Sequence, residues 1–588
     1  MNALGGTIVD APNVSRGLES TERPGRWPSA LHRPATCSYR DCTVPDLLSR
    51  SAEGYPDSTA LLFYGARLTY REFDALVTRF ACALQRLGVH AGDRVAIMLP
   101  NCPQGMIAYY GALRAGAIVV QTNPLYHSQE LEVQLRDAGA ETIIALDIFY
   151  AHIQPIQDRI GLRRIILTCV RDFLSGLKRL LYPIKARLNG RWVSIDKQPP
   201  LYDFLTLLQH DADARDFARL PRRNGDDLAL LQYTGGTTGV PKGVMLTHRN
   251  VIANASQCHA WMPDCREGAE VFLGVIPFFH VYGLSTCQHL AVMAAATLVL
   301  LPRFEVLEVL AAIQRYRVTV FSAIPMMFLK AIEHPKVQKY NLRSLRICLS
   351  GASPLHAELR DRFERLTGVT LTEGYGLTEA GPVTHCNPIN GRGPQGSMGV
   401  LFPDTEARIV DLETGEREVP DGEAGELTVR GPQIMRGYWN NEAETRAVLR
   451  NGWLHTGDIV RKDPDGFFYL VDRKKDMIKT RGENVYPREV EEVLFRHPGV
   501  QDVVVAGVPD RLFGEAIKAY VVRQQNSQVT EAELIGYCKD ALARFKVPSI
   551  VEFRNELPRT VVGKVLRRTL QKEEADKRAA APELKKAG

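Results

Sequence analysis

Short apolar runs recur along the first two-thirds of the chain, with longer amphipathic stretches between them. The runs are Arg94–Leu99, Glu141–Leu146, Leu228–Tyr233, Val271–Pro277, Thr297–Leu301, Val318–Ala323 and Leu345–Ser350. Runs of that length predict buried strands, whereas apolar residues four apart, such as Leu131 and Leu135, lie on one face of a helix. Strands that alternate with helices build α/β layers around largely parallel sheets. At 588 residues the chain exceeds one ordinary hydrophobic core, so several domains or subdomains are expected.

The pattern changes after Leu401. Glu406–Val410 and Glu426–Arg430 alternate in the manner of half-exposed strands, and glycine-rich turns join them, which predicts a small β subdomain. A charged junction, Asp472-Arg473-Lys474-Lys475-Asp476, comes next. Beyond it, Pro487–His497 places Val490, Val493 and Leu494 on one helical face, and Val503–Gly507 and Ala519–Val522 read as strands. The division expected is a partly flexible extension (1–44), a large α/β domain (45–471), the junction (472–476), a small α+β domain (477–570) and a charged, frayed tail (571–588). No internal repeat stands out.

Composition narrows the function classes. Hydrophobic residues are 45% and charged residues 24%, as in an ordinary globular protein, and the net charge of +6 is spread over both signs. A nucleic-acid partner is therefore not expected. Eleven scattered cysteines suggest a reducing compartment, with neither a zinc site nor a disulfide framework. The N-terminus lacks the basic start and apolar run of a signal peptide. Gly283–Leu301 is free of charge and as long as a membrane span, but Gln288 and His289 interrupt it, so buried α/β core is the expectation.

The densest local signal is Tyr233-Thr-Gly-Gly-Thr-Thr-Gly-Val-Pro-Lys-Gly243, which leaves the end of a predicted strand. Gly235, Gly236 and Gly239 let the backbone approach a ligand. The hydroxyls of Thr234, Thr237 and Thr238, together with backbone N–H groups, can wrap phosphate oxygens, and Lys242 adds positive charge. This is not the P-loop pattern, because no Gly-Lys-Ser/Thr follows at the required spacing.

With this loop the sequence resembles the adenylate-forming superfamily of acyl-CoA synthetases, luciferases and peptide-synthetase adenylation domains. The loop departs from the usual family pattern at Gly235, where serine is common. In this it resembles the bacterial long-chain fatty-acyl-CoA synthetases, as do Asn101-Cys-Pro-Gln104 and Gln121-Thr-Asn-Pro-Leu-Tyr126. The resemblance covers roughly residues 45–570, and further motifs follow in the family's order. Pro277-Phe-Phe-His-Val-Tyr-Gly283 implies that His280 lies near the acyl carboxylate or adenylate. Ser350-Gly351-Ala352 and Thr372-Glu373-Gly374-Tyr375-Gly376-Leu-Thr378-Glu379-Ala380 imply an adenine pocket closed by Tyr375, a phosphate contact at Thr378, and Mg2+ at Glu379 with Thr238. In Gly452–Asp458 the resemblance makes Asp458 the ribose ligand, with Arg473 as a second ribose or phosphate contact. It makes 472–476 a hinge pivoting at Lys475. It brings the Lys479–Asn484 loop to the active site for the thiol step, and gives Lys564, in Pro558–Lys564, the adenylation step.

Taken singly, each residue has an ordinary reading. His280 could be a satisfied core histidine, Glu379 a solvated acid and Asp458 a turn residue. Lys475 could belong to a solvated charge run and Lys564 to the surface. The motif order is what favours the functional reading. The implied reaction is ATP-dependent activation of a long-chain fatty acid to acyl-CoA through an acyl-adenylate, with ATP and CoA as co-substrates. Other readings are a medium-chain or aromatic acid, transfer to a carrier protein, or a silent scaffold of the same fold. A homodimer is left open. Val170–Val193 mixes Phe173, Leu174, Leu177, Leu180, Leu181, Ile184 and Leu188, near helical spacing, with Arg171, Lys178, Arg179, Lys185, Arg187 and Arg191, and Pro183 predicts two short helical pieces. Such an element suits peripheral contact of a cytoplasmic enzyme with the inner face of the cell membrane, or packing as a surface insertion.

Overall fold

Each apolar run of the first two-thirds becomes a strand, and the strands gather into two sheets. The computed structural model describes residues 35–190, 193, 195, 198–209, 220–234, 241–389, 393–480, 483–510, 514–560 and 565–580. The described chain forms two compact units. The first holds residues up to Gln395, Gly399–Glu406 and Arg430–Leu454; the second holds Gly396–Met398, Ala407–Val429 and residues from His455 on.

In the first unit one sheet runs Gly437–Tyr438, Lys242–Thr247, Leu228–Thr234, Ile118–Gln121, Arg94–Met98, Thr142–Leu146, Arg164–Thr168 and Leu201–Asp203. Its centre is parallel, with Val95 beside Val119 and Thr142, and Val119 beside Leu230. Alternate residues point to one face, so Ala96, Met98, Ile143 and Ala145 meet Leu131 and Leu135 of the Ser128–Ala138 helix. Glu130 starts that helix by accepting from the His127 N–H, and Gly139, at φ 62°, ends it in the left-handed conformation.

The other sheet runs Val400–Leu401, Val383–Cys386, Leu371–Gly376, Ile347–Ser350, Val320–Ala323, Val271–Gly274, Thr297–Leu300, Thr59–Phe63 and Ala66–Thr69. Val309, Leu310 and Ile313 of the Val306–Tyr316 helix pack on it, and Phe328 stacks between Phe321 and Phe363. The charge-free Gly283–Leu301 stretch is buried core. It is a π-helical turn at Leu284–His289, a short helix at Leu290–Met293 and a strand at Thr297–Leu300. No helix among the described residues is long and apolar enough to cross a membrane.

The second unit carries a β sheet of Glu406–Val410, Gly425–Arg430, Trp453–Lys462 and Phe468–Arg473. It also carries an α+β layer in which Val490 and Leu494 of the Pro487–Phe495 helix pack on Val503, Val505, Ala519 and Val521. The chain end follows with the Arg567–Ala580 helix.

Three expectations are corrected. The Gly425–Arg430 strand is buried up to Val429 rather than half-exposed, with Glu426 accepting hydrogen bonds from Lys474 and the Gly457 N–H. The tail is helical to Ala580 rather than frayed past Leu570. Leu570 is buried, and Glu573, Glu574 and Lys577 pair with Arg554, Lys518 and Glu552 of the sheet beneath. Pro183 does not split its segment. The break falls at Leu174–Ser175, and one helix runs from Gly176 to Leu188. The carbonyl that Pro183 leaves without a donor belongs to Arg179, on an exposed turn where water can serve it.

The carboxyl ends of parallel strands are where α/β sheets bind ligands, and here those ends are tied together. Buried Asn101, just past Arg94–Met98, donates to the carbonyls of Gly274 (3.0 Å) and Ile276 (2.8 Å) and accepts from the Phe278 N–H (2.9 Å). Gln232, near the end of Leu228–Thr234, donates to the Phe279 carbonyl at 2.6 Å. Asn101→Ala strands the Ile276 carbonyl and the Phe278 N–H, while the Gly274 carbonyl keeps the Leu301 N–H, and is expected to cost about 2 kcal/mol or more. Thermal unfolding checks this, with a midpoint lowered by about 2 °C.

Candidate active site

The phosphate-loop motif opens where two antiparallel strands part, with Thr234 opposite Lys242 in register. Gly235, Gly236, Thr237, Thr238 and Gly239 lie outside the described residues. Lys242 is nearly buried, and its ammonium meets the Glu444 carboxylate at 2.6 Å. It also lies 5.2 Å from the centre of the Tyr438 ring. Tyr438 reaches this place because Gly437–Tyr438 adds an edge strand, pairing Tyr438 with Val244. Its hydroxyl donates to Glu379 Oε1 at 2.8 Å. A line of contacts, Glu444–Lys242–Tyr438–Glu379, therefore joins the loop's lysine to the acid of the Thr372–Ala380 motif.

Glu379 sits in the one-turn helix Thr378–Ala380 with Thr378, and its carbonyl accepts from the Met435 N–H. The strand before it, Leu371–Gly376, presents Glu373, Gly374, Tyr375 and Gly376. The Tyr375 ring stands edge-on to His385, 5.7 Å away, and Glu373 Oε1 accepts from the Leu355 N–H at 3.3 Å. Gly376 must be glycine, since a Cβ would run into the Pro382 carbonyl. Gly351 and Ala352 leave the end of the neighbouring strand Ile347–Ser350, and Ala352 takes φ 68°. Gly351 passes so close to the Tyr282 ring that a Cβ would lie 3.0 Å from it. His280 caps the Val281–Gly283 turn, its Nδ1 accepting from the Tyr282 N–H at 3.2 Å. Tyr282 in turn donates to the Leu349 carbonyl at 3.1 Å. The first unit thus draws Thr234, Lys242, His280, Gly351, Ala352, Glu373–Gly376, Thr378 and Glu379 to the linked carboxyl ends of its two sheets.

Asp458, Arg473, Lys475 and Lys479 belong to the second unit. Asp458 and Arg473 face each other in register on adjacent strands, and Arg473 Nε lies 3.2 Å from Asp458 Oδ1. Within the run 472–476, Asp472 and Arg473 end the Phe468–Arg473 strand and 474–476 form the tight turn after it. Lys474 is fixed to Glu426 and Asp476 to Arg567, while Lys475 is exposed and makes no hydrogen bond among the described residues. Lys479 is exposed on the Ile478–Thr480 strand, paired with Asn484 across a hairpin. Lys564 lies outside the described residues.

The motifs did not flag Tyr438, Glu444 or Gln232. Only Asn441 capping its helix through the Glu444 N–H (3.2 Å) leaves a local sign, and it marks a helix start rather than a partner for Lys242. Among the described residues no cluster of three or more His, Cys, Asp or Glu side chains could hold a metal. Glu379 nevertheless suits Mg2+. The Tyr438 hydroxyl takes one of its roughly four acceptor positions, and Mg2+ needs only one or two carboxylates beside phosphate oxygens.

The fold and these residues define an adenylate-forming enzyme. Residues 48–439 match the AMP-binding enzyme family and residues 489–564 match the AMP-binding enzyme C-terminal domain, so the chain belongs to this family. It is 46% identical to a long-chain-fatty-acid–CoA ligase of Bacillus subtilis, covering 91% of this chain and 95% of the relative. It is 35% identical to 4-coumarate–CoA ligase 2 of Oryza sativa subsp. japonica, covering 89% of this chain and 90% of that one. Among solved structures, ATP-bound MatB from Rhodopseudomonas palustris superposes with a TM-score of 0.79 at 28% identity, over 91% of this chain and 99% of that chain.

Asp472, near the end of the strand that leads into the turn, is buried and accepts from the N–H groups of Arg473 (2.7 Å) and Arg488 (2.8 Å). Burial pushes its pKa up to about 6 from 3.8, with those donors and nearby Arg567 pulling the other way. The folded chain therefore holds this proton more tightly than the unfolded chain does. Stability contributed here falls as pH rises from about 4 to about 6, and is level above that. Asp472→Asn is expected to remove that slope, so the wild-type-minus-variant difference in denaturant midpoint should fall across this window and then stay constant.

Proposed function

We propose that the chain is a long-chain-fatty-acid–CoA ligase, converting ATP, a fatty acid and CoA to AMP, diphosphate and acyl-CoA. The 46% identity to the Bacillus subtilis ligase over 91% of the chain carries this reading. The line from Lys242 through Tyr438 to Glu379 supports it, because it sets a cation and an anion beside a glycine-rich loop.

A carboxylate is a poor acyl electrophile. In the first step its oxygen attacks the α-phosphorus of ATP, the bond to the β-phosphate oxygen breaks, and diphosphate leaves. Thr234, Thr237, Thr238, the loop glycines and Lys242 hold the phosphates in line, and Thr378 adds a contact. Gly351, Ala352, Glu373, Gly374, Tyr375 and Gly376 shape the adenine pocket, where Tyr375 offers a stacking face. Asp458, an acceptor-only carboxylate, takes the ribose hydroxyls, and Arg473 holds it in place. Glu379 and Thr238 would hold Mg2+, which supplies charge neutralisation at the phosphates when bound. His280 lies at the acyl carboxylate. In the second step the CoA thiolate attacks the acyl carbon, and AMP leaves with the phosphate oxygen.

Two steps at one site call for two settings of the small domain. In this reading 45–471 and 477–570 are the working domains, and 472–476 pivots at exposed Lys475. Lys564 serves the first step and the Lys479–Asn484 loop serves the second. Lys564→Ala is expected to abolish acyl-AMP formation while sparing thioester formation from added acyl-AMP, as single-turnover assays of each half-reaction would read. Equal loss in both would end that division.

The enzyme meets its fatty acid at the inner face of the membrane, as a cytoplasmic protein in peripheral contact. An aromatic acid is the second reading, since the rice 4-coumarate ligase is also similar. Release of AMP with ATP, Mg2+ and CoA across acetate, octanoate, palmitate, oleate and coumarate decides between them. CoA-dependent turnover peaking at palmitate or oleate is expected. A coumarate peak would keep the mechanism and replace the substrate.

A further inference from the structure

Eleven large apolar side chains are exposed among the described residues, and five of them lie on the single helix Gly176–Leu188. Scattered exposed leucines are ordinary, but a continuous stripe of them is not. The five are Leu177 (67% exposed), Leu180 (69%), Leu181 (46%), Ile184 (56%) and Leu188 (83%). Their spacing of three, four, seven and eleven from Leu177 places them within an arc of roughly 100°. Ala186, the helix's buried residue, falls on the opposite side. The helix therefore rests on the protein by one face and turns its leucines outward.

Charge follows the same geometry. Lys178 and Lys185 lie along one border of the stripe and Arg187 along the other, while Arg179 is exposed further round. Gly176–Leu188 contains no acidic residue. Lys178 also donates to the Tyr64 carbonyl at 3.0 Å and lies 5.4 Å from the centre of that ring, which fixes the helix against the Thr59–Thr69 hairpin. An apolar stripe with cations at both borders matches one surface best, a lipid bilayer with anionic headgroups. The leucines enter the acyl boundary to a depth of roughly 5–10 Å and the basic side chains reach back to phosphate. An apolar groove on another protein would match the leucines but not the basic borders of the stripe.

We infer that the Gly176–Leu188 helix docks the enzyme on anionic bilayers, with Leu180 and Ile184 at the centre of the inserted face. This rests on the fatty-acid reading for its purpose, because long-chain acids partition into lipid. Its test does not depend on that reading.

The full-length protein is sedimented with vesicles of phosphatidylcholine containing phosphatidylglycerol, and with phosphatidylcholine alone. Binding to the anionic vesicles is expected to weaken as salt is added. The Leu180→Asp, Ile184→Asp double variant is expected to lose at least about tenfold in partitioning. Its thermal midpoint and its turnover of dissolved octanoate should not change, since both side chains project from the protein. Lys185→Gln should weaken binding to anionic vesicles only. Binding unchanged in the double variant, absent in the wild type, or equal on neutral lipid would overturn the inference. Vesicle binding without AMP release on any acid would instead overturn the ligase reading and leave the docking helix standing.

Discussion

One buried amide holds the first unit's working edge together. Asn101 leaves the end of one parallel sheet and satisfies three backbone groups on the segment leaving the other. Those groups belong to Gly274, whose carbonyl also accepts from the Leu301 N–H, and to Ile276 and Phe278, where the chain has left the strand and has no ladder to pair with. Without Asn101 the Ile276 carbonyl and the Phe278 N–H would be unpaired, and the Pro277–Gly283 segment would lose its fixed path. The Gln232 bond to Phe279 and the Tyr282 bond to Leu349 extend the same logic sideways. His280, Gly351 and the mouth of the phosphate loop are positioned as a consequence.

The second unit is held differently. Its polar groups are fixed by charge pairs that reach from one secondary-structure element to another. Arg567 binds Glu491 and Asp476, Lys474 binds Glu426, and Lys518 sits between Glu552 and Glu574. Several of these pairs are largely shielded from water, where removing one partner costs more than the pair contributes. The turn at 474–476 is thus anchored on both sides of Lys475.

Much of this was legible in the sequence. Continuous apolar runs gave strands at Arg94–Met98, Thr142–Leu146 and Leu228–Thr234 within a residue or so, because burial on both faces leaves an unmistakable pattern. Contiguous motifs such as Thr372–Ala380 were legible for a similar reason, since a loop that wraps a ligand is built from neighbours. What stayed hidden depends on partners far along the chain. Tyr438 acts on Glu379 across 59 residues, and Glu444 acts on Lys242 across 202. The Gly425–Arg430 strand looked half-exposed because its alternating polar residues have distant partners, and the tail looked frayed for the same reason. Local pattern shows that a residue is charged but not what will neutralise it.

The pairing of Lys242 with Glu444 has a consequence for what the loop will accept. An anion approaching this lysine does not meet a bare cation but one with a carboxylate already at 2.6 Å. A weakly charged visitor gains little by displacing it. In the proposed role of the loop, a polyphosphate would offer several negative oxygens at once and so gain enough to compete. In that proposed role the ion pair would act as a threshold set by charge density, favouring a nucleoside triphosphate over small anions.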